Sequence, residues 1–107
     1  MKSFASFKNK GFHLIFPNGV TLSTQFGNYN YCEHSVNYSK QPNYDHEAPI
    51  KAGFWESNDA EIAIWKNGTE TWLTKECPFC GNEECVDGYV DMKKWLKILK
   101  WCVEHEG

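Results

Sequence analysis

The tightest constraint on this chain is a strand that is apolar on both of its sides. Glu61-Ile62-Ala63-Ile64-Trp65-Lys66 runs into Asn67-Gly68, and residues 69–74 return. Asn-Gly between two such runs predicts a β-hairpin with a type I′ turn, in which both central residues need positive φ. A two-residue loop pairs Lys66 with Thr69, Ile64 with Thr71 and Ile62 with Leu73. One face then carries Ile62, Ile64 and Leu73, and the other carries Ala63, Trp65 and Trp72. Side chains alternate across a strand, so both faces of this hairpin expect cover.

The elements that supply cover are legible on either side. Phe12, Leu14 and Phe16 alternate with His13 and Ile15 before Pro17-Asn18-Gly19; Val20, Leu22, Thr24 and Phe26 then alternate with Thr21, Ser23 and Gln25. That pattern predicts a first hairpin, and residues 4–8 add a short strand ahead of it. At the other end Asp91 is placed to N-cap a helix. Met92, Trp95, Leu96, Leu99, Cys102 and Val103 follow at helical spacing, predicting one inward stripe. The expected class is α+β: a single domain over 1–107, with a small antiparallel sheet built from hairpins and a C-terminal helix packed on one face. Residues 27–59 show neither period, apart from a possible strand within 51–57; a loop of that length is functional or misread. The tryptophan face is left to this loop or to a partner.

Charge narrows the role. Residues 1–32 carry a net +3, residues 33–91 a net −8 and residues 92–107 a net +2; the total is −3, and every cation is Lys. Without Arg the chain lacks the planar fork that reads phosphate and guanine, and its acidic middle repels a polyanion. The longest apolar run is far shorter than a membrane span, and no secretory leader opens the chain, so a soluble cytoplasmic protein is expected. In that setting Asn67-Gly68-Thr69, which matches a glycosylation sequon, means only a turn.

The five cysteines stand at 32, 77, 80, 85 and 102. An odd number without a leader argues against a disulfide framework. Cys77-Pro78-Phe79-Cys80-Gly81-Asn82 has the form of a zinc-knuckle half-site, a tight turn aiming two thiolates at one metal. Cys85, and Cys102 with His105 on the final helix, are the residues that would complete it. Zinc held by Cys77, Cys80, Cys85 and Cys102, ordinary reduced thiols, and a redox pair all remain open. Cys102 also fits the helix stripe as a small buried hydrophobe.

Enzymatic signatures are missing. The sequence has no Gly-rich phosphate loop, no HExxH and no nucleophile elbow. His34, Asp45 and His46 in the irregular loop are the weak acid–base candidates, so the chain is read as a non-enzyme. Recognition fits better. Asn28, Tyr29, Asn30 and Tyr31 combine rigid ring area with adaptable amides, and Trp65 and Trp72 add apolar area. Trp101, opposite the stripe beside Lys94 and Lys97, offers either an anchor or a cation–π contact.

The run 11–32, with Phe16-Pro17-Asn18-Gly19, Gln25-Phe26-Gly27 and Asn30-Tyr31-Cys32, together with Ala60-Glu61-Ile62-Ala63-Ile64-Trp65, resembles a group of short proteins of tailed phages and prophages. The resemblance covers about half the chain and leaves out the 77–85 cysteines. It implies a small phage-encoded binding protein that inhibits or sequesters a host or defence component, either a protein or a nucleotide signal, in the cytoplasm of the infected or lysogenic bacterium. The alternative is a zinc-knuckle nucleic-acid binder using Lys93, Lys94, Lys97, Lys100 and Trp101, which ranks lower on charge. The uncovered rings favour a homo-oligomer.

Overall fold

The computed structural model describes residues 3–6, 11–27, 32, 57–80 and 86–105. They form a five-stranded antiparallel sheet in chain order: β1 (Phe4–Ser6), β2 (Gly11–Ile15), β3 (Val20–Gln25), β4 (Asp59–Lys66) and β5 (Val86–Asp91). A 3-10 turn, Thr74–Glu76, precedes β5, and the helix α1 (Met92–Glu104) follows it directly. The expected α+β class is what the chain adopts, with α1 against one face of the sheet. Of the long irregular stretch, residues 28–31 and 33–56 lie outside the described residues.

The first hairpin follows its sequence. Phe16 N–H donates to Val20 O (2.8 Å) and Gly19 N–H to Phe16 O (3.1 Å), leaving Pro17, Asn18 and Gly19 as a three-residue loop. Gly19 has φ +88°, the left-handed position such a loop ends on. β2 then pairs Leu14 with Leu22 and Phe12 with Thr24.

The second hairpin does not. Only Gly68 of the Asn-Gly pair has positive φ (+73°), which excludes a type I′ turn. Lys66 N–H donates to Thr71 O, and Trp65 bridges Trp72, so the return is displaced two residues from the expected pairing. A two-residue shift preserves the faces, and Leu73 still joins Ile62 and Ile64 in the core. The return is a bridge rather than a strand, because a side chain takes over the pairing. Leu73 N–H donates to Ile64 O (2.8 Å), but Ile64 N–H donates to Thr74 Oγ1 (2.8 Å), and the hydroxyl donates back to Ile64 O (3.3 Å). Thr74 is fully buried.

β5 has no signature in the sequence. It takes the first half of β4's outer edge, pairing Ala60 with Val90 and Ile62 with Asp87. Gly88 and Tyr89 therefore stand opposite Glu61 alone, a β-bulge, with Tyr89 at φ +52°. Three residues apart on a regular strand, Asp87 and Val90 would point to opposite faces. The bulge turns both toward α1: Val90 enters the core and Asp87 meets the Lys94 ammonium at 2.7 Å.

Helix α1 starts where expected, with Asp91 Oδ1 accepting from Lys94 N–H at 2.9 Å. Its rotation differs from expectation. Ile98 and Cys102 are the fully buried positions, with Trp95 and Leu99 beside them, whereas Met92, Leu96 and Val103 are 63%, 53% and 56% exposed. At 3.6 residues per turn this is a rotation of roughly 80° from the predicted stripe. Trp95 Nε1–H donates to Thr24 Oγ1 (2.9 Å), and the ring meets Phe12 edge-on at 6.3 Å. At the far end Asn18 Nδ2 donates to Cys102 O (2.8 Å) and His105 O (2.9 Å), serving carbonyls that a helix C-terminus leaves unpaired.

Two substitutions test this account. Thr74→Val keeps the shape but strands the buried Ile64 N–H, and should lower unfolding free energy by about 1–3 kcal/mol in urea denaturation. Asn18→Ala removes the C-terminal clasp and should cost about 1–2 kcal/mol by the same measurement, with faster amide exchange in the last turn of α1.

Candidate functional site

Among the described residues, three surfaces carry chemistry. The first is the cysteine turn. Cys77 ends the 3-10 turn, and Pro78 and Phe79 bring the chain round so that Cys80 N–H donates to Cys77 O at 3.2 Å. Cys77, Cys80 and Cys102 are all buried free thiols within the core cluster, and Phe79 stands out at the tip. The Cys77 sulfur is held as a charge acceptor. A hydrogen bond from the Cys80 thiol brings its pKa down to about 7 against the opposing effect of burial, with Phe79 and Cys80 backbone N–H groups helping. Cys80 moves upward, first because its proton is engaged by Cys77 and then through burial. Burial pushes Cys102 up to about 12, with the Cys77 charge adding to it. Cys85 lies outside the described residues. Among the described residues no three His, Cys, Asp or Glu side chains form a ready-made metal cluster.

The second surface is the sheet face away from α1. His13 on β2 and Trp65 on β4 reach across β3, whose small Thr21 and Ser23 are buried between them, and meet edge-to-face at 5.0 Å. Trp72 continues the row at 5.6 Å from Trp65 and is 44% exposed. A shallow depression is lined by Trp65, Thr69, Glu70 and Trp72. The structure thus joins Trp65 and Trp72 as expected and adds His13, whose pKa is lowered by partial burial. Asn28, Tyr29, Asn30 and Tyr31, like His34, Asp45 and His46, lie outside the described residues.

The third surface is the outer side of α1. Trp101 is half-buried, not free as expected from its position opposite the predicted stripe; its ring lies 4.5 Å from His105 at a 37° tilt and packs against the core edge. It shares a depression with Phe79, Lys97, Lys100 and Glu104. On the other flank of the helix, roughly 160° from Trp101 at 100° per residue, Met92, Leu96 and Val103 form an exposed aliphatic line that the sequence reading places inward. Met92 also borders a groove of about 130 Å³ lined mostly by apolar side chains, including Phe12, Phe26, Val90 and Trp95.

Neither a family model, a curated protein nor a solved structure matches the chain. Among the described residues no helix is long and apolar enough to cross a membrane.

The His13 contact has a pH signature. A folded-state pKa below the usual 6.5 means the unfolded chain binds the proton more tightly. His13 therefore withdraws stability as pH falls from about 6.5 through its lowered folded value. Urea midpoints measured from pH 7.5 to 5 should fall more steeply for the native chain than for His13→Gln.

Proposed function

We propose that this is a small binding protein, without catalytic machinery of its own, that docks on another protein through the outer apolar side of α1. The observation that carries this reading is the line of Met92, Leu96 and Val103, each more than half exposed. On a helix these positions share one side, and they span roughly 16 Å at 1.5 Å per residue. Exposed aliphatic side chains in one row, continuous through Met92 with an apolar groove, are the pattern of a helix awaiting a partner's apolar surface. The Trp65–Trp72 face is the second contact candidate. Among the described residues its depression is lined by Glu70 and no cation, which suits a protein better than the phosphates of a nucleotide signal. Taken with the phage-like sequence pattern, the role we infer is inhibition or sequestration of a host or defence protein in the bacterial cytoplasm.

A second reading, single-stranded nucleic-acid binding, is favoured by one observation: Phe79, Trp101, Lys97 and Lys100 border the same depression, rings beside cations. The Glu104 carboxylate in that depression and the net charge of −3 weigh against it.

The decisive substitution is Leu96→Glu. Because Leu96 is exposed, the change should leave the unfolding free energy from urea denaturation within about 0.5 kcal/mol. Calorimetry against a host protein captured on the native chain should show affinity weakened at least about tenfold, one buried side chain being worth at least 1.4 kcal/mol. Trp72→Ala in the same assay reports whether the sheet face shares the contact. Unchanged affinity in Leu96→Glu, or a salt-dependent gel shift with single-stranded DNA that Trp101→Ala abolishes, would refute docking through α1.

A further inference from the structure

Resting on the docking of α1 argued above, we propose that the groove beside its first turn receives one lysine side chain of the docked protein. Aromatic rings would line its stem, and the Asp59 and Asp91 carboxylates would meet its ammonium. The groove holds about 130 Å³, well under the roughly 300–1,000 Å³ of a site for a drug-sized ligand, so it admits a single side chain rather than a nucleotide. Its walls include three rings: Phe12 on β2, Phe26 just past β3 and Trp95 on α1. Phe12 and Trp95 stand nearly at right angles, with 74° between their planes. Aliphatic stems pack on ring surface of this kind, and ring faces attract a cation.

Charge selects the head group. Asp59 and Asp91 are partners across β4 and β5, and both line the groove. Like charges directly opposite each other destabilise a strand pair, and a cation beside both turns that repulsion into attraction. Among the described residues no Lys lines the groove, and the Lys94 ammonium, one turn along α1, is drawn to Asp87 instead. The N-terminus of α1 adds a partial positive charge of roughly half a unit, which two full carboxylates outweigh. A wholly apolar occupant would take water from the carboxylates and return nothing, and an anion would be repelled. Lysine, with an aliphatic stem and a compact charged head, meets both demands. The net charge of −3 favours a basic partner on the same grounds. Met92 joins the groove to the aliphatic line, so a lysine seated here and an apolar surface on Leu96 and Val103 form one continuous contact.

The test titrates the full-length chain with n-butylammonium chloride, a lysine side chain without its backbone, and with 1-butanol as the neutral control. Nitrogen-15 labelling lets the indole N–H resonances report where each probe sits. The expected result is a saturable shift of the Trp95 Nε1–H resonance by n-butylammonium, with Trp65, Trp72 and Trp101 unmoved. 1-Butanol should bind at least about fivefold more weakly. Asp59→Asn and Asp91→Asn should each weaken n-butylammonium binding about two- to fivefold, the worth of an exposed ion pair. Asparagine caps a helix as well as aspartate does, so α1 is kept in the second variant. The double variant should bind n-butylammonium no better than 1-butanol. Leu96→Glu lies outside the groove and should leave this titration unchanged, so failure of the groove and failure of α1 docking are read separately. Equal affinity for the two probes, or a Trp95 resonance that n-butylammonium does not move, would overturn the site. Against the captured host protein, the double variant should lose affinity by the same factor as it does for n-butylammonium. A complex of unchanged affinity would overturn the lysine assignment and leave the groove to a free alkylammonium.

Discussion

Everything on the helix side of the sheet depends on how α1 is held at both ends. Trp95 is fastened to Thr24 on β3, and the C-terminal carbonyls of Cys102 and His105 are fastened to Asn18 in the β2–β3 loop. Lys94 adds an ion pair to Asp87 on β5. These contacts, two through helix side chains and one through the last carbonyls, reach three different parts of the sheet. Together they fix the rotation that turns Ile98 and Cys102 inward. Asn18 matters beyond its own bonds because its Oδ1 also accepts from Val20 N–H at 3.2 Å. The same side chain therefore shapes the loop and clasps the helix, so folding of the first hairpin and docking of α1 are coupled.

That rotation explains which parts of the fold can be read from the chain and which cannot. The first hairpin is legible because Pro17-Asn18-Gly19 specifies a loop and the flanking residues alternate cleanly. The start of α1 is legible because Asp91 is a good cap. The inward side of α1 is not. Apolar residues from Ile98 through Trp95 and Leu99 to Leu96 cover an arc of roughly 160° at 100° per residue, and a sheet buries only about 100° of it. Periodicity cannot choose which part; Asn18 and Thr24, more than seventy residues away in the chain, do so.

β5 and the second hairpin escape for related reasons. Both break the pattern that sequence reading relies on. The bulge at Gly88 and Tyr89 sends Asp87 and Val90 to one face, so the strand shows no period of two. At the other half of the same edge, Thr74 supplies with its hydroxyl what a backbone carbonyl would supply in a longer hairpin. The edge of β4 is thus shared between two short segments, and the 3-10 turn between them carries the chain to Cys77. As for the candidate sites, the knuckle spacing and the Trp65–Trp72 pairing are visible in the sequence. The aliphatic line on α1 is hidden by the same ambiguity that hides the helix rotation.

The shared edge also decides what the cysteine turn packs against. β4 holds its partner as far as Thr74, and the chain then turns so that Cys77 and Cys80 enter the same core as Ile98 and Cys102 of α1. The helix is thus fixed on its inner side by packing and at its ends by Trp95 and Asn18. A helix ordered before it docks lowers the ordering cost of association. The aliphatic line of Met92, Leu96 and Val103 is therefore presented by a helix whose rotation is already set, and a partner's apolar surface would meet it without first having to order it.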